Sequence, residues 1–210
     1  MPENAEGRGK RDVSLPCYEL FFHPLALTLD PTAYERIQFA YFASKFGHAM
    51  QKREGGARFF DHPKAAAWIY INELGGRDAR AIIVLLLHDL SEDSYLLSPY
   101  RINLNLGAEI ALDVRAVTKL PKGKETIEEY FGRIIARGPW AILAKLCDRL
   151  HNLRTLDACD ATKQWRQIAE TRDILLPMLI SALRAHGGEG ARCADILEVK
   201  IKEAMALYEK

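Results

Sequence analysis

From residue 30 onward, apolar positions recur with helical spacing and are interrupted by glycine and proline pairs. Asp30-Pro31 supplies an N-cap followed by proline at the first helical position, which opens a helix running toward Phe46. Gly55-Gly56 marks a loop, and Asp61 reads as the N-cap of a second helix, 62–74, that Gly75-Gly76 ends. A third helix is predicted over 77–88. Its stretch 82–87 is apolar all round, as expected for a buried central helix. The β-branched Ile82-Ile83-Val84 could seed a strand, but no partner strand pattern accompanies it, so helix is favoured. Ser98-Pro99 opens a short helix, and 107–118 and 124–137 form two more. Gly138-Pro139 breaks the chain before a long amphipathic helix, 140–156. Residues 162–184 are helical with a kink or break expected at Pro177, and Gly187-Gly188 precedes a last helix, 191–208. No segment alternates with period two, so the expected fold class is all-α.

Residues 1–14 are nearly free of aliphatic side chains and read as a disordered tail. The rest, 15–210, is expected to be one domain, with 187–210 as an appended C-terminal helix. With 49% hydrophobic residues, the chain needs no metal or disulfide merely to fold. Lys and Arg number 29 against 28 Asp and Glu, which gives no bulk electrostatic grip on DNA. Cys17, Cys147, Cys159 and Cys193 form no C-x-x-C pair, which argues against a zinc knuckle and a secreted disulfide scaffold. The longest apolar run, 81–87, is too short to span a bilayer, and no signal-type core follows the N-terminus. A soluble protein of the reducing cytoplasm, with no membrane partner, is the expectation.

Chemistry concentrates in three places. His88-Asp89 is followed one turn on by Glu92-Asp93, so one imidazole and three carboxylates lie within two turns of a very apolar lead-in. Taken alone, these residues fit a polar helix end around a core histidine equally well. In the stretch 145–155, Asp148, Asn152 and Thr155 fall at i, i+4 and i+7, on one polar stripe opposite Leu146, Leu150 and Leu153. That stripe suits either a ligand flanked by substrate contacts or a solvated face. His62 stands at a helix start, where capping or packing would also explain it. Taken together, His62, His88, Asp89 and Asp148 make a mixed nitrogen and oxygen set. Such a set suits a borderline or hard divalent ion such as manganese (Mn²⁺) better than a thiolate zinc site does. Glu92 and Asp93 remain as acid/base candidates. Lys119, Lys122, Lys124, Lys145, Arg149 and Arg154 could neutralise an anionic substrate locally; for Lys145 and Arg149 ion pairs with site carboxylates are an equal alternative.

Residues 39–179 resemble the HD-domain hydrolases of the RelA/SpoT type, specifically a free-standing small alarmone hydrolase. Five blocks carry the resemblance in order. They are Gly47-His48-Ala49-Met50-Gln51-Lys52-Arg53-Glu54, Phe59-Phe60-Asp61-His62-Pro63, His88-Asp89-Leu90-Ser91-Glu92-Asp93-Ser94, Thr118-Lys119-Leu120, and the run from Lys145 to Leu156 that contains Asp148-Arg149-Leu150-His151-Asn152. A Glu-Thr pair follows at Glu170-Thr171. The resemblance implies an all-α HD-domain helical bundle with a metal site between central helices. It implies manganese on His62, His88, Asp89 and Asp148, and Glu92 and Asp93 managing the attacking water. It implies Arg53 packing on the nucleobase, Asn152 on the nucleoside with Thr155 nearby, and Lys145 among the substrate contacts.

The implied reaction removes pyrophosphate from the 3′ position of guanosine 3′,5′-bis(diphosphate) (ppGpp) or its pentaphosphate (pppGpp). Synthesis is not expected, since a chain of this length has no room for the synthetase and regulatory domains of the long members. The sequence departs from the family pattern at Gly47, Met50 and Ser94, and at Glu54, where the family usually has lysine. These departures leave other readings open: an adenosine alarmone, NADPH, or a pyrophosphorylated tRNA end, the last as an antitoxin against a toxic synthetase. A non-catalytic helical binding module is the non-enzyme alternative. Charge reversal by Glu54→Lys is expected to favour guanosine tetraphosphate.

Overall fold

A computed structural model describes residues 12, 14–90 and 98–209. The described residues are helical and contain no strand; an isolated bridge joins Lys52 to Arg58. The order is α1 Tyr18–Ala26, α2 Pro31–Gly47, α3 Asp61–Trp68 continued by a π-helical turn Ile69–Glu73, α4 Ala79–Leu87, α5 Pro99–Leu106 and α6 Ala108–Val117. Then follow α7 Ile127–Arg137, α8 Pro139–Arg154, α9 Ala161–Glu170, a π-helical stretch Thr171–Ile180, α10 Ser181–Ala185 and α11 Gly188–Ala206.

The apolar run that reads as a central helix is one. From Ala81 to Leu87 every residue of α4 has no solvent exposure, and the helix packs against α2, α3, α6 and α8. Asp78 caps it by accepting the Ala81 N–H. The strand alternative for Ile82-Ile83-Val84 is not realised, because neighbours on all sides reward a helix that is apolar all round. Helix α8 is the second central element. Its residues from Ala141 to Leu150 are all buried, including Lys145, Asp148 and Arg149. Charged side chains in the middle of a core are costly unless paired, so their presence marks α8 as more than packing.

The structure departs from the sequence reading in three places. The helix α1 was not anticipated. Pro24 lies inside it, and what holds the segment helical is burial of Phe21, Phe22 and Leu25 against α2, with ring contacts from Phe21 and Phe22 to Tyr41 at 5.3 Å each. Asp61 is not the N-cap of α3. It is the first helical residue, and the N–H groups of Asp61 and His62 bond instead to the carbonyls of Arg58 and Phe59. The Asp61 carboxylate accepts from Arg58 at 2.6 Å and from the Asp12 backbone at 2.9 Å. Pro177 does not break its helix; it lies inside a π-helical stretch, a local departure from α geometry, and the helix continues into α10. Helix α11 buries Cys193, Ala194, Leu197 and Ile201 and packs back on α8. No helix among the described residues is long and apolar enough to cross a membrane.

Candidate active site

Helices α3, α4 and α8 meet where their polar residues face one another. The start of α3 contributes His62, the end of α4 contributes His88 with Asp89 just beyond it, and the middle of α8 contributes Asp148. His62 Nε2 lies 3.1 Å from Asp89 Oδ2 and 3.1 Å from Asp148 Oδ1. His88 Nε2 lies 3.5 and 3.6 Å from the same two oxygens, and 3.2 Å from His62 Nε2. Metal–ligand bonds of about 2.1 Å at right angles put neighbouring donor atoms about 3 Å apart. His62, His88 and Asp89 can therefore close on one divalent ion with small movements, and Asp148 stands beside both imidazoles. The expected set of His62, His88, Asp89 and Asp148 is brought together, from positions up to 86 residues apart (62 to 148).

Local bonds orient the imidazoles for this. His88 Nδ1 sits 2.7 Å from the Leu85 carbonyl, one turn back on α4, so Nδ1 donates and Nε2 is turned toward the cluster. His62 Nδ1 is 2.7 Å from His151 Nδ1. Burial, then the neighbouring His62 and Arg53, push His151 down to about 2, so its ring is neutral and can accept the His62 N–H. His151 was assigned no role from sequence; its position one turn from Asp148 was the available signal.

The electrostatics suit a cation. Burial works against charge on Asp148, yet Lys145 and the two imidazoles hold its carboxyl well below the usual range. Asp89 is lowered too, against its burial, by His88 and His62. Burial disfavours imidazolium at His88, but Asp89 and Asp148 outweigh it and lift its pKa to about 9. A proton on His88 thus stands where a divalent ion would supply positive charge between the two carboxylates.

The cluster lies in a cavity of about 810 Å³. Arg53, Lys145, Asn152 and Thr155, the expected substrate contacts, all line it. Lys145 donates to Asp148 Oδ2 at 2.6 Å and lies over the Tyr130 ring, so it is an ion-pair partner as well as a wall residue. Burial would lower the Lys145 pKa, and Asp148 raises it above the usual lysine range. Arg53 donates to Asn152 Oδ1 at 2.7 Å, and Asn152 donates in turn to Asp148 Oδ1. The Thr155 hydroxyl donates back to the His151 carbonyl at 3.1 Å. Of the other basic residues, Lys119 lines the cavity, Arg149 pairs with Glu170 and Arg154 with Glu73, and Lys122 and Lys124 are exposed away from it. Gly55, at φ +81°, turns the 54–56 loop so that it faces the 156–158 segment; a side chain there would meet Ala158 at 3.3 Å. Glu92 and Asp93 lie outside the described residues.

No protein-family model matches the chain. It is 40% identical over 139 residues, 62% of its length, to the probable guanosine-3′,5′-bis(diphosphate) 3′-pyrophosphohydrolase of Synechocystis. It is 37% identical over 153 residues, 70% of its length, to the guanosine-3′,5′-bis(diphosphate) 3′-pyrophosphohydrolase of Aquifex aeolicus. It is 34% identical over 158 residues to the GTP pyrophosphokinase of Streptomyces antibioticus. The matches cover 18%, 22% and 18% of those proteins, so the chain spans about a fifth of the length of these relatives. A solved structure, described as a metazoan ortholog of SpoT that hydrolyzes ppGpp and plays a role in starvation responses, superposes with a TM-score of 0.61 at 21% identity. That superposition covers 86% of this chain and 97% of the other. The chain is therefore a relative of the RelA/SpoT-type proteins and has their all-α HD fold.

Proposed function

We propose that this protein hydrolyses guanosine 3′,5′-bis(diphosphate) and its pentaphosphate, releasing pyrophosphate from the 3′ position. The observation that carries this is the cluster of His62, His88 and Asp89, with Asp148 beside the imidazoles, in a nucleotide-sized cavity of a chain similar to two proteins named for that reaction. His62, His88, Asp89 and Asp148 would hold the cation. A mixed imidazole and carboxylate set favours manganese among the borderline and hard divalent ions. A divalent ion held there would supply Lewis acidity toward a phosphoryl oxygen and toward water at neutral pH.

The remaining roles belong to the chain's own side chains. Water adds to the 3′ phosphorus, the bond from that phosphorus to the ribose oxygen breaks, and a proton returns to the ribose oxygen. Glu92 and Asp93 follow the His-Asp pair after two intervening residues in sequence and are the groups proposed to take and deliver that proton. Lys145 and Lys119, on the wall beside Tyr130, offer positive charge to the phosphates. Arg53, Asn152 and Thr155 line the part of the wall proposed to take the nucleoside.

Purified protein with Mn²⁺ should convert ppGpp to GDP and pyrophosphate in equal amounts, as read by ion-exchange chromatography and phosphorus NMR. The same assay with the adenosine alarmone, NADPH and pyrophosphorylated tRNA ranks the other substrates. No turnover of any of them would leave the binding-module reading standing and sink this one.

A further inference from the structure

Asn152 does two things at once in the cavity wall. Its carbonyl oxygen accepts from the Arg53 guanidinium at 2.7 Å, and its amide nitrogen donates to Asp148 Oδ1. The orientation of the amide is forced, because guanidinium can only donate and a carboxylate can only accept. Asparagine offers an acceptor to one neighbour and, from a separate atom, a donor to the other. The oxygen it holds is the Asp148 oxygen that faces both imidazoles, at 3.1 Å from His62 and 3.6 Å from His88. The second Asp148 oxygen is taken by Lys145 at 2.6 Å. The carboxylate is thus pinned from both sides, and one of the pins runs on to Arg53, 99 residues away in sequence from Asn152.

We propose that Asn152 is a positioning residue for the cation site, which it ties to Arg53. The inference rests on the function reading above for its cation, and extends it. Asn152 sets the rotation of the Asp148 carboxylate, and Arg53 sets the rotation of the Asn152 amide. When Arg53 is released from Asn152, as when its guanidinium turns to stack on a ring, the amide loses the partner that fixes it. The base end and the cation end of the cavity are then thermodynamically linked, and by reciprocity each affects affinity at the other.

The test is a double-mutant cycle on the dissociation constant of Mn²⁺ alone, by titration calorimetry, with parent, Arg53→Ala, Asn152→Ala and the double variant. Thermal denaturation of the metal-free proteins runs alongside to show that each is folded. Removing an outer-shell bond of this kind should weaken Mn²⁺ about 10- to 100-fold in Asn152→Ala. Arg53→Ala, which touches no donor atom, should weaken it about two- to tenfold. The double variant should match Asn152→Ala, since Arg53 acts only through the amide. A side chain that merely filled space would not make the two effects non-additive. Unchanged Mn²⁺ affinity in either single variant, or additive losses in the double variant, overturns the inference while leaving the function reading intact. A parent protein that binds no Mn²⁺ overturns both, and the turnover assay above then decides the function reading separately.

Discussion

Lys163 Nζ on α9 donates to Glu54 Oε1 at 2.8 Å across the rim of the cavity. Glu54 is the position where acidic replaces basic relative to the family pattern, and its carboxyl is lowered by a hydrogen bond with Cys159, then by Lys163. The charge reversal is therefore answered by a lysine from another helix, and the pair itself is neutral. Glu54→Lys would set two ammonium groups against each other and leave the rim strongly positive. A polyanionic nucleotide should then bind more tightly, with the Michaelis constant for ppGpp several-fold lower and turnover little changed, because a rim charge acts on ground and transition states alike. Lys163→Met should shift the constant the other way. Steady-state kinetics on both variants checks the pair; equal constants in all three proteins would mean the rim does not meet the substrate.

Asp148→Ala should separate metal binding from stability. Loss of an anionic donor should reduce Mn²⁺ affinity strongly. It also strands Lys145, which is buried and pairs with Asp148 at 2.6 Å. An uncompensated buried charge typically costs about 3–5 kcal/mol. Adding Lys145→Met should recover most of that stability and none of the Mn²⁺ affinity. Urea denaturation and calorimetry on the single and double variants measure the two effects independently.

Glu92→Gln keeps the shape of the side chain and removes its charge. Under the proposed role in handling water, turnover should fall by roughly 10²–10⁴-fold. Mn²⁺ affinity should stay near the parent value, since Glu92 is not among the four proposed donors. Parent-level turnover in this variant would remove Glu92 from the mechanism.

Glu73 gives the fold a defined pH dependence. It lies at the π-helical end of α3 and accepts from Arg154 on α8 at 2.6 Å and from Lys200 on α11 at 2.8 Å. Burial would raise its pKa, but the two cations together lower it. A folded-state pKa below the unfolded one contributes stability that is present at neutral pH and is lost as pH falls through the folded value. The group is 22% exposed, so the contribution is screened and on the order of 1 kcal/mol. Glu73→Gln should lower stability by about that amount at pH 7, and the gap to the parent should close on acidification below about pH 4. Chemical denaturation of both proteins across that range is the check.

The helical character of the chain was legible because its signals are local. Asp30-Pro31, Ser98-Pro99 and the apolar run of α4 act within a turn or two, and each marks the element that forms. The stripe of Asp148, Asn152 and Thr155 was legible for the same reason: helical geometry alone puts i, i+4 and i+7 on one face. Helix α1 was not, since an internal proline speaks against it locally and only packing on α2 outweighs that. Nor was the use of Asp61, whose capping pattern is overridden by Arg58 and the Asp12 backbone.

The sequence by itself determined which residue types could hold a cation and which helix each would occupy, because composition and periodicity are properties of short segments. Only the tertiary structure decided what each charge faces. His151 against His62 spans 89 residues, Arg53 against Asn152 spans 99, and Lys163 against Glu54 spans 109. Pairings at such separations leave no periodic trace in the chain; they arise when burial of α4 and α8 brings three helices to one point, where each buried charge requires a partner.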